Sequence, residues 1–188
     1  PVIYHASITD EEPLDMLEAH KKQHFIGPGL AWLINTCHNA SAYGITPEAA
    51  RKMGYFRELE AAIESMKALR RRDIRILPGG DYGFAWTPHG TNARDLQYFV
   101  EYVGMSTMEA LLSATAWGAP MMKKPHELGQ VRDGYLADLL LVDGDPLAVI
   151  TVLQDMARIL AVMKDGEFHR APPVRGGLRS PTTTRWAA

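Results

Sequence analysis

The sequence has a single cysteine, Cys37, and this scarcity excludes a fold held together by internal disulfides. No apolar run approaches the length of about 18 residues that crosses a bilayer, so no membrane-spanning segment is predicted. The chain also lacks a bias toward one charge, because 20 lysines and arginines stand against 22 aspartates and glutamates. This balance argues against nucleic-acid and membrane-surface partners, which favour basic proteins. The cysteine usage favours a cytoplasmic location.

The 188 residues are 46% hydrophobic, which is enough to bury one good-sized core. Short apolar, β-prone segments at residues 2–6, 25–34 and 74–77 alternate with segments of helical character. That alternation predicts βα units around a parallel sheet, and therefore an α/β fold. The last third of the chain differs, since strands are predicted at 138–142 and 159–163, the second followed by a hairpin turn.

Capping residues mark where helices begin. Thr9 precedes Glu12 in a capping box, and Thr46 precedes Pro47 at the start of the longest predicted helix. Residues 35–44 are rich in small polar side chains and are predicted to form a loop. The chain opens on a strand that is already under way, without a methionine, so we expect it to be a piece of something longer.

Two titratable residues follow predicted strands. His5 closes the first strand, and Asp81 follows the strand at 74–77 after a Pro-Gly-Gly bend. Parallel βα folds place functional groups at the carboxyl ends of their strands, and imidazole and carboxylate are suitable ligands for a divalent metal such as Zn²⁺. Each residue also has a plainer interpretation, as a hydrogen-bonded loop histidine and as a turn-forming aspartate. Two ligands alone do not complete a zinc site.

Four further residues near these strand ends are candidates for substrate binding. His89 has no helical or strand pattern to explain it, and a substrate or metal-supporting role is one interpretation. Asn92 lies where a loop becomes a helix, so it is a candidate for substrate contact or for an ordinary N-cap. Tyr82 and Trp32 are aromatics that line either a pocket for an apolar substrate or the protein core. Cys37 has no partner motif and is not predicted to be a nucleophile.

Short motifs follow one another along the chain from the Pro-Gly-Gly bend onward. They are Pro78-Gly79-Gly80-Asp81, Pro88-His89-Gly90-Thr91-Asn92-Ala93-Arg94-Asp95-Leu96, Met108-Glu109-Ala110, Ala114-Thr115, Leu128-Gly129-Gln130-Val131, Gly134-Tyr135-Leu136-Ala137-Asp138-Leu139, Val142-Asp143-Gly144-Asp145-Pro146-Leu147 and Val162-Met163-Lys164-Asp165-Gly166. As an ordered series they resemble the carboxyl-terminal half of the metal-dependent amidohydrolase superfamily, in particular its imidazolonepropionase-like and Xaa-Pro-dipeptidase-like branch. The resemblance covers about residues 1–170.

The resemblance implies a (β/α)₈ barrel with a small β-sandwich, of which this chain would hold strands six to eight and the carboxyl-terminal sandwich strands. By resemblance, His5 matches the metal-ligand histidine at the end of strand six. Asp81 matches the aspartate at the end of strand eight, which contacts metal and shuttles a proton. Residues 25–37 would be strand seven and its loop. The implied cofactor is a divalent metal, zinc foremost, with one or two ions in the complete enzyme.

The other parts of the family pattern are absent from this sequence. The His-x-His of the first strand, the bridging carboxylated lysine or its acidic equivalent, and the histidine of strand five belong to a half that the chain lacks. A complete barrel needs about 250 residues. We therefore expect a partial barrel at residues 1–127, sandwich strands at 128–170 and a disordered tail at 171–188. The implied partner is the missing amino-terminal half or a homo-oligomer neighbour.

The resulting hypothesis is a metal-dependent hydrolase of amide-type C–N bonds in small molecules, such as an N-acyl amino acid or a dipeptide. On its own the chain is expected to lack a complete site. Two alternatives stay open at this stage. The chain is either a catalytically inactive binding or oligomerisation module, or a flavodoxin-like α/β binding domain in which His5 and Asp81 are structural.

Overall fold

Three short parallel segments lie side by side in the computed structural model, which describes residues 1–173. Strand β1 (Val2–Tyr4) pairs in parallel with strand β2 (Phe25–Gly27). On its other side β2 forms a parallel bridge from Ile26 to Ile76, which is all that remains of the third predicted strand. Every residue of β2 is buried because both of its edges are covered. The parallel pairing predicted from the strand–helix alternation is thus present in this part of the chain.

Six α-helices connect or follow these segments within residues 1–173. Their bounds are α1 Glu11–Ala19, α2 Leu30–His38, α3 Pro47–Met53, α4 Tyr55–Arg71, α5 Arg94–Tyr98 and α6 Thr107–Ala114, with short 3₁₀ helices at Ser41–Tyr43 and Ile150–Gln154 and a π-helical turn at Phe99–Val103. Helix α4 buries a stripe of side chains spaced by three and four residues, Leu59, Ala62, Met66 and Leu69. This stripe packs into one core together with Ile26 of β2.

The predicted helix from Thr46 begins as expected but is divided in two. The Thr46 hydroxyl accepts a hydrogen bond from Ala49 N at 3.3 Å, and Pro47 occupies the first helical position. Gly54 then adopts a φ of +89° and separates α3 from α4. Only glycine adopts such an angle without steric cost, so the glycine at this position allows the break between the two helices.

Two other local predictions are wrong. The apolar stretch at 25–34 is a strand only as far as Gly27, and the chain then enters α2, which includes residues predicted as strand and as loop. In the interpretation of residues 25–37 as strand seven and its loop, the loop is wrong, because residues from Leu30 onward form α2. Thr9 does not cap α1, because its hydroxyl donates to Ala6 O at 2.9 Å and Asp10 occupies the N-cap. The Thr9 hydroxyl is used by a local bond three residues back, and the left-handed Gly29 turns the chain into α2.

The last third of the described chain forms a separate antiparallel sheet, as predicted. Strand β3 (Leu139–Val142) pairs with β4 (Ile159–Lys164), and β4 pairs with β5 (Glu167–Arg170) through the predicted hairpin turn. Leu140 and Leu141 in β3 are more than half exposed, so this sheet is less well covered than the parallel one. The domain boundaries proposed at 127 and 170 stay predictions. The predicted tail lies outside the described residues, apart from residues 171–173, which form no helix or strand.

Candidate functional site

His5 lies directly after β1, at the carboxyl end of the strand. Its backbone N–H donates to Gly27 O at 2.8 Å, and it adopts a φ of +66°, a conformation that is uncommon for residues other than glycine. The imidazole is exposed and lies against Gly29, where an added Cβ would stand 2.7 Å from Nδ1. Gly29, which precedes α2, therefore leaves the space that the His5 ring occupies.

Asp81 occupies the equivalent place after the third parallel segment. It too has a left-handed backbone, with a φ of +59°, and it is exposed. The bend before it is tied to the neighbouring strand end, because Gly29 N donates to Gly79 O at 2.7 Å and Trp32 N donates to Gly80 O at 2.9 Å. His5 and Asp81 thus follow the carboxyl ends of two strands that flank β2. Left-handed non-glycine residues of this kind cluster at functional sites.

A buried carboxylate lies beneath the bend that carries Asp81. Asp95 in α5 is only 2% exposed. Its Oδ2 accepts a hydrogen bond from Gly79 N at 2.9 Å, and its Oδ1 accepts one from the Tyr82 hydroxyl at 3.1 Å. Burial raises the pKa of Asp95 to about 6, although the hydrogen bonds from Tyr82 and from the amides of Gly79 and Gly80 pull it down. Gly79 and Tyr82, which donate these hydrogen bonds to Asp95, lie on either side of Asp81 in the sequence.

The backbone around this carboxylate is packed too closely for any other residue at position 80. A Cβ on Gly80 would overlap the Asp95 carboxylate and would stand 2.7 Å from the Ala31 Cβ. Burial, together with the neighbouring Asp95 charge, also raises the pKa of the Tyr82 hydroxyl, so that this group stays protonated and keeps donating. The close packing of Asp95 and Ala31 against Gly80 therefore restricts the backbone conformation of the bend.

Trp32, one of the two predicted substrate-binding aromatics, belongs to a contiguous row of rings, whereas Tyr82 does not. Trp32 contacts Tyr55 and Phe84 edge to face, with ring centroids 5.3 and 5.8 Å apart. Trp86 and Tyr43 continue the row, and Trp86 Nε1 donates to Thr36 Oγ1 at 2.9 Å. Phe84 and Tyr43 are about half exposed, whereas Trp32 is partly buried against the core. The row is thus core at one end and surface at the other.

His89 and Asn92 lie in the loop between Asp81 and α5, and both are exposed. The His89 ring packs against Gly83, where an added Cβ would stand 3.3 Å from Nε2. Asn92 does not cap α5 with its side chain, because its Oδ1 accepts from Gly90 N at 3.2 Å instead. Asn92 also borders a cavity of about 550 Å³ beside Leu77. The substrate roles of these residues, and those of Tyr82 and Trp32, stay predictions.

The described residues do not contain a full ligand set for a metal. Within residues 1–173, no group of three or more histidine, cysteine, aspartate or glutamate side chains is placed to hold an ion. His5 and Asp81 are the donors that sequence reasoning selected, and an imidazole with a carboxylate suits zinc. The ligand roles of His5 and Asp81 stay predictions.

Two further observations bear on the sequence predictions. Cys37 is buried in α2, and burial raises the pKa of its thiol to about 11, which makes it a poor nucleophile. None of the helices in residues 1–173 has both the length and the apolar composition needed to cross a bilayer.

Asp95 is the site residue that the sequence reasoning missed. It stands inside one of the quoted motifs, yet it received no role. A signal was available, since Asp95, Phe99 and Val103 are spaced by four residues and an acidic residue on an apolar helix stripe needs a buried partner. All three side chains are in fact buried.

Three known proteins are similar to this chain in sequence and structure. The chain is 27% identical over 172 residues to ochratoxinase of Aspergillus niger, a match that covers 90% of this chain and 34% of that enzyme. It superposes on a putative prolidase from Bifidobacterium longum with a TM-score of 0.78 at 25% identity, covering 93% of this chain and 43% of the other. It superposes on a Xaa-Pro dipeptidase with bound methionine in the active site with a TM-score of 0.74 at 26% identity, covering 90% and 40%.

The chain spans about a third of the length of the curated relatives it matches. The sequence profile of the Amidohydrolase family, however, matches residues 4–168, which is most of the chain. The resemblance drawn from the ordered motifs is thereby confirmed, and the chain belongs to the amidohydrolase family.

Proposed function

We propose that β1, β2 and the segment around Ile76 are three consecutive strands of a (β/α)₈ barrel, the sixth to the eighth. Their order in the sheet is their order in the sequence. Sequential parallel strands with right-handed crossovers place every connecting helix on the same face, as in a barrel. A flavodoxin-like domain instead reverses its strand order at a switch point. The sequential order fits the barrel, and the family membership of the chain favours the barrel over the flavodoxin-like alternative.

The function that this arrangement supports is hydrolysis of amide-type C–N bonds in small molecules. The observation that carries the proposal is the pair His5 and Asp81, two exposed left-handed residues after the carboxyl ends of strands that flank β2. In barrel enzymes the chemistry lies at this end of the strands. The family membership of the chain supplies the reaction class.

The proposed metal ligands in this chain are His5 and Asp81, with zinc as the first candidate ion. A divalent cation held there would polarise a carbonyl and lower the pKa of water toward about 7. The exposed Asp81 carboxylate would take a proton from the attacking water at one of its oxygens. It would then deliver that proton to the nitrogen of the leaving amine.

Recognition of the substrate is proposed to involve the loop that follows Asp81. Phe84, on the exposed part of the aromatic row, offers an apolar surface close in sequence to the carboxylate. His89 and Asn92 offer exposed hydrogen-bonding groups in the same loop. These contacts suit an N-acyl amino acid or a dipeptide that carries an apolar group beside the scissile bond.

Activity is proposed to require the rest of the barrel. The relatives are about three times as long as the matched region. The proposed partner is therefore a segment that supplies the other strands and the remaining metal ligands, from the same polypeptide or from another. A cytoplasmic location stays a prediction.

A complementation assay tests this proposal. The chain is coexpressed with the portion of A. niger ochratoxinase outside the matched region, supplied with Zn²⁺ and offered a panel of N-acyl amino acids and dipeptides. We expect hydrolysis from the assembled pair, and a loss of at least about 100-fold in Asp81→Asn because the proton acceptor is removed.

Asp73→Asn is the matched control. Asp73 is another exposed aspartate with a left-handed backbone, but it lies at the amino end of the third parallel segment. We expect it to leave the rate unchanged. An assembled pair that is inactive on the whole panel, or one whose rate Asp81→Asn does not alter, contradicts the proposal.

A further inference from the structure

The bend between the third parallel segment and Asp81 has no regular secondary structure to hold it. Residues 78–83 belong to neither a helix nor a strand, and Asp81 is exposed. A carboxylate on such a segment would sample many orientations unless its backbone were fixed from outside. Two backbone hydrogen bonds, from Gly29 N to Gly79 O and from Trp32 N to Gly80 O, tie only the residues before Asp81. Catalytic groups need placement to within about 0.5 Å, so a contact that also engages the residue after Asp81 is required.

The Asp95 carboxylate is placed to supply it. Its two oxygens are used separately, with Oδ2 accepting from Gly79 N two residues before Asp81 and Oδ1 accepting from the Tyr82 hydroxyl one residue after. Gly80 presses its Cα against the same carboxylate, where no side chain would fit. The carboxylate thus accepts from the backbone before Asp81 and from a side chain after it, and it forms no hydrogen bond with Asp81 itself.

Helix α5 gives this carboxylate a rigid base. Asp95 is on the same stripe as Phe99 and Val103, both of which are buried in the core. An aspartate that is 2% exposed costs free energy to bury, and in a sequence selected only for stability an apolar residue would fill this position at lower cost. A role of this carboxylate in holding the neighbouring bend accounts for the cost of burying it.

We propose that Asp95 is a positioning residue, whose buried carboxylate sets the backbone of the Gly79–Tyr82 bend and so aims the Asp81 carboxylate into the site. This inference rests on the proposed function of Asp81. Asp95 does not touch substrate or metal in this account. Its effect on any reaction passes through Asp81.

The test uses the chain itself and four variants. Asp95→Asn keeps the shape and one acceptor oxygen, whereas Asp95→Leu keeps approximate size and removes both acceptors. Tyr82→Phe removes only the hydroxyl that Oδ1 accepts from. Leu69→Ala, in α4 and away from the bend, is the control for a general loss of stability.

The first readout is nuclear magnetic resonance of the isolated chain, which needs no metal and no activity. The Cα and Cβ shifts of Asp81 report its backbone angles, and hydrogen exchange of the Gly79 amide reports the bond to Oδ2. In Asp95→Leu we expect the backbone of Asp81 to leave the left-handed region. We also expect hydrogen exchange of the Gly79 amide to become at least 10-fold faster than exchange through global unfolding of the same variant. Asp95→Asn should retain the Gly79 bond and the Asp81 shifts, and Leu69→Ala should change neither.

The second readout is the complementation assay, in which Asp95→Leu should lower kcat about 10- to 100-fold with little change in KM, and Asp95→Asn should restore most of the rate. Unchanged Asp81 shifts in a folded Asp95→Leu chain overturn the positioning inference. If that variant does not fold, the Tyr82→Phe spectrum decides, with a shift change at Asp81 supporting the inference and no change overturning it. A wild-type pair without hydrolysis defeats the proposed function instead, while the spectra still decide the positioning role.

Discussion

The turn after β1 and the turn after the third parallel segment hold a residue in a similar backbone conformation through different contacts. Both place an exposed, non-glycine residue in the left-handed region, with φ of +66° at His5 and +59° at Asp81. His5 rests in a space left free by Gly29. Asp81 instead stands on a bend that a buried carboxylate, Asp95, holds from below.

The difference concerns how far each side chain is constrained. One backbone bond, from His5 N to Gly27 O, ties the first turn to the sheet, and the imidazole borders solvent. The second turn is tied through Gly79, Gly80 and Tyr82 together. A group that transfers a proton needs fixed placement. The additional contacts at the second turn fit the proton-transfer role proposed for Asp81.

Gly80→Ala should break the second turn and have the largest effect. The added methyl would overlap the Asp95 carboxylate and the Ala31 side chain, neither of which can move freely in the core. We expect the free energy of unfolding to fall by about 3 kcal/mol, measured by urea denaturation. Gly90→Ala in the same loop is the control. Its Cβ would meet nothing, so only the cost of its positive φ, about 1 kcal/mol, should appear.

The pH dependence of stability should reveal the buried carboxylate. The folded-state pKa of Asp95 is raised from 3.8 to about 6, so the folded chain binds this proton more tightly than the unfolded chain. The contribution of Asp95 to stability is therefore complete below about pH 4 and is lost as the pH rises through 6. At about 1.4 kcal/mol for each pKa unit, the loss is about 3 kcal/mol.

The measurement is the difference between wild type and Asp95→Asn in denaturant titrations from pH 4 to 7. The difference isolates Asp95 from groups that act in the opposite sense, such as Glu109, whose pKa is lowered to about 2 by its hydrogen bonds to Arg70. Wild type should lose stability relative to the variant as the pH rises. A difference that is constant with pH would show that Asp95 is not perturbed.

Gly29→Ala should have a smaller effect on stability and a local effect at the first turn. The new methyl would stand 2.7 Å from His5 Nδ1, but the exposed ring can rotate away. The remaining cost is the positive φ of +67°, about 1–2 kcal/mol. We expect the imidazole signals of His5 to shift in a histidine-selective spectrum while the Gly79 amide stays unchanged. Changes of equal size at both turns would mean that the turns are not independent.

The labelling rate of the Cys37 thiol compares the two turns through the smallest expected effect. The thiol is buried in α2. Trp32 in α2 and Gly29 before it donate backbone hydrogen bonds to the second turn, and Gly29 also adjoins the His5 ring of the first turn. We expect labelling by a disulfide reagent at pH 8 to be very slow in the native chain and to accelerate in Gly80→Ala more than in Gly29→Ala. Equal labelling rates in the two variants would contradict the ranking of the turns.

Much of this arrangement follows from the sequence, and the exceptions have physical causes. The strand–helix alternation and the ordered motifs were enough to identify the α/β character, the family and two strand-end residues. The course of residues 25–37 was mispredicted because Gly29 turns the chain directly into α2, and an apolar run alone does not separate a buried strand from a buried helix. Asp95 escaped notice because its partners, Gly79 and Tyr82, are 16 and 13 residues away.

Paramagnetic broadening shows whether His5 and Asp81 share one cation. The isolated chain is titrated with Mn²⁺, whose unpaired electrons broaden the signals of nearby nuclei, and the His5 and Asp81 signals are followed together. We expect both signals to broaden over the same concentration range, with His5→Ala weakening the broadening at Asp81 and Asp81→Asn weakening it at His5. Broadening at each residue that does not change when the other is replaced would contradict the assignment of these two side chains to one site.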